Sequence, residues 1–260
     1  MAPYEWVAVA YFVGLSLAAG VCRLPRQRRL ATSATGMAIA LVVAVVAATG
    51  SDVLRAWAPH IYLVAGYWLP AMLAPRPAVA TRFERWLVRF DADFVLRAVP
   101  AAPAQVTELA YLLCYPLIPA AFTVVWARGD AADVTRFWVA VLVSGYACYA
   151  SLPWLVSRPP RLREQDSRSA NQVGEINVFV LRRVSHELNT FPSGHVAVSC
   201  AAAAMLATVS PATALVFGVI TTLIAVGAVA GRYHYVTDVV FAVAVAVVAI
   251  AVGVLIQPGG

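Results

Sequence analysis

Eight apolar runs, each close to the length of a bilayer crossing, constrain this chain more than any other feature. They lie near residues 5–22, 34–50, 58–74, 106–127, 136–157, 194–209, 212–230 and 236–256. A hydrocarbon core takes about 20 apolar residues per helix. Inside it every backbone N–H and C=O must be satisfied within the segment, which favours helices. The chain is 62% hydrophobic and 12% charged, with mean hydropathy +0.78, far from a soluble domain. The expectation is an all-α, polytopic transmembrane helical bundle in the cell membrane. The third run, around His60 to Leu73, is short and holds Pro70, so a re-entrant path is its alternative. Only Ser210-Pro211 separates the sixth and seventh runs, which therefore form a helical hairpin.

Two stretches break the apolar pattern. Phe83-Glu84-Arg85-Trp86-Leu87-Val88-Arg89-Phe90, followed by Asp91-Ala92-Asp93-Phe94, mixes charge and aromatics at helical spacing. That reads as an amphipathic helix on the membrane surface. Residues 158–190 are the most polar segment and carry six Arg. The division expected is 1–75, N-terminal transmembrane helices; 76–104, an interfacial segment; and 105–260, the core carrying the polar clusters.

Net charge is +6, and every one of the 19 basic residues is Arg. In a chain of this kind such a balance reflects cytoplasmic loops and lipid headgroups. No nucleic-acid motif is visible, so the partner implied is the bilayer itself; oligomeric state is left open. The four cysteines, Cys22, Cys114, Cys148 and Cys200, sit in apolar runs and read as small hydrophobic fillers. Arg residues follow the first apolar run instead of preceding it, so a cleaved signal peptide is not expected.

Three polar clusters lie at run boundaries. Asn189-Thr190-Phe191-Pro192-Ser193-Gly194-His195 opens the sixth run. Pro192 suits a first helical turn, and Ser193 and Gly194 would leave backbone N–H groups free at the positive helix end, with no Gly194 side chain to keep an anion away. Arg158-Pro159-Pro160-Arg161 closes the fifth run, and Arg232-Tyr233-His234-Tyr235-Val236-Thr237-Asp238 opens the eighth. Counting crossings puts all three on one membrane face. His234 and Asp238 are four apart, on one side of a helix, where a carboxylate can take the N–H of one imidazole nitrogen and leave the other as nucleophile or base. A metal site is disfavoured because the cluster supplies too few ligands. Glu108, at the start of the fourth run beside Tyr111 and Tyr115, is costly there unless paired, and an Arg from the polar loops is the expected partner.

These parts suit phosphoryl transfer. Arg forks and helix-end N–H groups grip a tetrahedral oxyanion; one His can attack phosphorus and a second can protonate the leaving oxygen. Serine-hydrolase chemistry fits worse, since Pro-Ser-Gly-His is no nucleophile elbow.

Phe191-Pro192-Ser193-Gly194-His195, with Arg158-Pro159 before it and His234-x-x-x-Asp238 after it, resembles the type 2 phosphatidic acid phosphatase superfamily. The Arg-Tyr-His-Tyr-x-x-Asp stretch is similar to the bacterial branch related to inositol phosphorylceramide synthases. The resemblance is strongest over residues 105–256. It implies a six-helix core, His234 as nucleophile, Asp238 as its orienting group and His195 as the acid. It assigns phosphate binding to Arg158, Ser193, Gly194 and Arg232, with no metal and no cofactor. Two positions depart from the family pattern. The Lys usual seven residues before the first-motif Arg is Ser151, for which Arg161, Arg182 or Arg183 would substitute. The Arg usual six residues before the nucleophile is Ala228, with Arg232 one helical turn further on.

The function implied is hydrolysis of a lipid phosphate monoester or pyrophosphate through a phosphohistidine. Transfer of the phosphoryl headgroup to a hydroxyl acceptor is the alternative, with the 158–190 segment shaping the acceptor pocket. A non-catalytic scaffold or transporter is a third class, and a vanadate haloperoxidase is disfavoured because those relatives are soluble. The positive-inside rule would put the site in the cytoplasm, since only Arg55, Arg128 and Arg136 lie opposite. Likeness to bacterial family members suggests an outward site, so orientation is open.

Overall fold

A computed structural model describes residues 1–22, 24–75, 79–98, 104–164, 179, 185 and 188–256. Arg182, Arg183 and most of the polar 158–190 segment lie outside these residues, and with them the expected acceptor-pocket role of that segment. The described chain is α-helical, without a β-strand; Ser157 and Asn189 form one isolated antiparallel bridge.

The helices are α1 (Pro3–Val21), α2 (Arg26–Thr49), α3 (Asp52–Trp57), α4 (Pro59–Leu73), α5 (Arg82–Ala98), α6 (Ala104–Leu112), α7 (Cys114–Arg128), α8 (Ala131–Ala150), α9 (Pro160–Glu164), α10 (Gly194–Met205), α11 (Pro211–Ala230) and α12 (Val236–Leu255). Pro stands in the first turn of α1, α4 and α11, where its missing N–H costs nothing. Four helices, α1, α2, α11 and α12, are long and apolar enough to cross a membrane, and the architecture is an all-α membrane bundle.

Helix α8 is the axis. It packs against α1, α4, α7, α10 and α12 and is buried on nearly every face from Val134 to Tyr149, the pattern of a helix enclosed by others. Trp138, fully buried, donates its Nε1–H to the Ala56 carbonyl at 2.8 Å, so the ring's one polar atom is satisfied. Of the six-helix core, α7, α10 and α12 pack directly on this axis, α11 packs on α10, and α6 packs on α11. The N-terminal pair α1 and α2 packs together on the α4 side.

Three expected boundaries are corrected. The run 106–127 is two helices broken at Leu113. Pro116 has no N–H for the Leu112 carbonyl, which ends the first helix there. The run 136–157 ends as helix at Ala150, and residues 151–155 turn back. The run 34–50 begins as helix at Arg26, eight residues early. Pro70 stays inside α4. The Gly66 carbonyl, which Pro70 cannot serve, accepts instead from the Tyr11 hydroxyl at 2.8 Å.

Candidate active site

The loop before α10 takes its shape from its caps. Ser193 is the N-cap, and its Oγ faces the Val196 N–H at 3.5 Å. Pro192, expected in the first helical turn, precedes the cap. The Ser193 N–H, expected free, donates to the Asp238 carbonyl at 3.0 Å and ties this loop to the start of α12. The Gly194 N–H points at Thr190 Oγ1, 3.5 Å away. The absence of a side chain at Gly194 is explained by packing: a Cβ there would overlap the ring of Tyr149.

Asp238 occupies the third position of α12, where an acidic side chain reaches back to the N-cap backbone. Its Oδ2 accepts the Tyr235 N–H at 2.9 Å and the His234 Nδ1–H at 3.1 Å. His234 and Asp238 are both buried. The ring of His195 faces that of His234, with centroids 6.2 Å apart and planes inclined at 73°. Tyr111 and Tyr115 stand edge-on to His195 at 5.6 and 5.8 Å. Tyr111 in turn stacks on Tyr233 at 3.9 Å. The two imidazoles thus face each other where the N-terminal ends of α10 and α12 meet.

Each of the three arginines meets a buried carboxylate. Arg158 sets Nη2 and Nε on Glu84 Oε1 at 2.9 and 3.2 Å, a two-point pair. The Glu84 hydrogen bond holds the Arg158 guanidinium above its ordinary pKa. Arg232 reaches Asp91 Oδ2 at 3.0 Å. Arg161 lies 3.7 Å from Glu108, hydrogen-bonds the Tyr233 hydroxyl and covers the Tyr233 ring at 5.0 Å. Tyr233 also donates to Glu108. Burial pushes its phenol well up, and the hydrogen bond to Glu108 adds to the shift, so Tyr233 remains a donor. Glu108 therefore has the Arg partner its depth requires.

Arg232 is not on the helical face of Ala228, as expected, but past the end of α11. Its φ of 60° is left-handed. The Arg232 N–H donates to the Val229 carbonyl at 3.0 Å and the Tyr233 N–H to the Ala228 carbonyl at 2.9 Å. This is a Schellman ending with Arg where Gly is usual. At Ser151, where the family pattern has Lys, the hydroxyl bonds the Phe191 and Cys148 carbonyls. Arg161 is the candidate substitute among the described residues, its backbone N–H on the Arg232 carbonyl at 2.9 Å.

Three residues to which the sequence assigned no role join the site. Glu84 and Asp91 come from the buried face of α5, whose spacing of seven residues returns to the same side after two turns. Asn189 donates from Nδ2 to Asp238 Oδ2 at 2.9 Å. Among the described residues no group of His, Cys, Asp and Glu is arranged to hold a metal ion.

No curated protein and no solved structure matches the chain. The sequence model of the PAP2 superfamily does, over residues 79–252. That stretch begins just before α5 and ends within α12, so it takes in both α5 carboxylates, all three arginines, both facing imidazoles and Asp238. With well over half of its length matched, and an all-α membrane bundle as its fold, the chain belongs to the PAP2 superfamily, whose members are generally phosphatases and related phosphotransferases.

Proposed function

We propose that the protein is an integral membrane lipid phosphate phosphatase that works through a phosphohistidine. The observation that carries this reading is the pair of imidazoles with centroids 6.2 Å apart and Asp238 on Nδ1 of one. The reading puts a phosphorus centre between the two rings, one as nucleophile and the other as acid. His234 Nε2 attacks phosphorus, the bond to the lipid oxygen breaks, and protonated His195 gives that oxygen its proton. Water then attacks the phosphohistidine, the P–N bond breaks, and His195 takes the proton back. Arg158 and Arg232 spread the charge of the equatorial oxygens, with Arg161 beside them; the Gly194 N–H joins them by leaving Thr190 Oγ1, 3.5 Å away. Ser193 contributes by capping α10, since its own N–H is engaged. Asp238 holds the nucleophile's ring.

The substrate is a phosphate monoester or pyrophosphate on a lipid, reaching the pocket from the cell membrane. Transfer to a hydroxyl acceptor is the second reading. It is favoured by the run Arg232 to Asp238, which is similar to the branch related to inositol phosphorylceramide synthases. Purified protein in detergent is expected to release inorganic phosphate from a lipid phosphate panel without added metal. If His234→Ala and His195→Ala both kept the full rate, the phosphatase assignment would fall. Labelled phosphate recovered in a new lipid instead of in solution selects the transferase.

A further inference from the structure

Asn189, in one polar cluster, touches a second at Asp238 and the residue just before the third, Ser157. It is 1% exposed. Its backbone N–H donates to the Ser157 carbonyl at 2.9 Å, next to Arg158. Its Nδ2 donates to Ser157 Oγ at 3.1 Å and to Asp238 Oδ2 at 2.9 Å. A carboxylate accepts only, so the nitrogen of the amide must face Asp238, and its two hydrogens serve the two acceptors. No other uncharged side chain of this size offers two N–H donors from one atom.

Asp238 Oδ2 thereby gathers three donors: Asn189 Nδ2, the Tyr235 N–H and His234 Nδ1–H. Two of them are fixed by backbone or by the Ser157 bridge. They hold the carboxylate in one rotation, and that rotation presents Oδ2 to the imidazole. An imidazole facing a fixed acceptor keeps its proton on the facing nitrogen.

We infer that Asn189 is a positioning residue: through Asp238 it fixes the His234 proton on Nδ1 and leaves Nε2 as the attacking atom. The inference rests on the reading of His234 as nucleophile. The competing role is mechanical, with Asn189 merely stapling the loop to Ser157. The two roles use different hydrogens of the same amide, so they separate by mutation. Asn189→Ala removes both contacts, whereas Ser157→Ala removes the hydroxyl contact alone.

The chain has four His, so selective ¹⁵N-His labelling in detergent gives four ring systems to follow. In the unaltered protein His234 is expected in the Nδ1–H form. In Asn189→Ala the Nε2–H form grows in, and the rate constant for phosphoenzyme formation falls about tenfold to a hundredfold, with labelling stoichiometry and the other His signals unchanged. Ser157→Ala keeps the tautomer and the rate. Asn189→Ser, which retains a shorter donor, falls between. The inference is overturned if Asn189→Ala keeps the Nδ1–H form or the parental rate, or if Ser157→Ala reproduces its losses. It is also overturned if the variant loses stoichiometry at an unchanged rate. Should the tautomer respond as described while no phosphoenzyme forms in the unaltered protein, the phosphohistidine reading fails and the positioning role stands.

Discussion

Asp91 divides its carboxylate between Arg232 and the first turn of α12: Oδ2 takes the guanidinium at 3.0 Å and Oδ1 takes the Val236 N–H at 2.7 Å. One buried side chain on α5 thus sets both the arginine and the helix that carries Asp238. Arg232 pays for its position with a left-handed backbone, worth about 1 kcal/mol against Gly. Losing it would leave a buried carboxylate without its cation, at about 3 kcal/mol or more. The second figure is larger, so Arg232→Gly is expected to lower the thermal midpoint in detergent. In an Asp91→Asn background the same change is neutral or stabilising. A midpoint raised by Arg232→Gly alone contradicts this ordering.

Glu84 fixes one edge of the Arg158 guanidinium. Glu84→Gln keeps the shape and loses the charge-assisted pair, worth roughly 1.5–3 kcal/mol. A looser Arg158 is expected to raise KM and the inhibition constant of inorganic phosphate together, by about tenfold. Steady-state kinetics with phosphate as competitor measure both, and an unchanged inhibition constant removes Arg158 from the phosphate grip.

His195 as acid has a specific signature. His195→Gln should cripple release of a lipid alcohol by about a hundredfold or more, but much less so release of an activated phenol, whose oxygen leaves unprotonated. Rates over a series of leaving groups decide it. Equal losses across the series would make His195 a binding group instead.

The proposed mechanism asks one imidazole to attack and the other to donate a proton. The pH profile of kcat/KM is therefore expected to be a bell, its acid limb belonging to the nucleophile and its alkaline limb to the acid. His195→Gln removes the alkaline limb and spares the acid one. An alkaline limb that survives this change belongs to another group; Tyr233, pushed upward by burial and Glu108, titrates too high to supply it.

Gly194→Ala tests the packing beneath the site. The added methyl meets the buried Tyr149 ring, and overpacking of this kind costs about 1–3 kcal/mol. Stability and turnover should both drop, and Tyr149→Leu in the same chain should recover part of the stability. A Gly194→Ala protein with the parental midpoint would mean that the ring moves freely.

The sequence made legible what is local. His234 and Asp238 are one turn apart, and His195 follows a loop whose residues cap a helix, so naming them as candidates needed no fold. The α5 carboxylates were not. Glu84 and Asp91 looked like the wet face of a surface helix, because burying them needs arginines distant in the chain. Thr81 and Glu84 even have the spacing of a capping box; Thr81 Oγ1 does take the Glu84 N–H at 3.0 Å, but the Glu84 side chain leaves for Arg158. Asn189 stood in a polar cluster without a role for the same reason: its acceptor, Asp238, lies on another helix. The break at Leu113 did have a local sign in Pro116, hidden within an otherwise unbroken apolar run. The position of Arg232 beyond α11 was masked by Gly231, which a sequence reader places at the left-handed residue that the arginine in fact occupies.

Pairing each arginine with its own carboxylate has a kinetic corollary. These three ion pairs largely cancel their own charges before a ligand enters, so each adds little field beyond a Debye length, about 8 Å at physiological salt. Their share of long-range attraction is then small. Capture of a lipid phosphate would owe little to these three guanidinium groups, with discrimination deferred until its oxygens touch them.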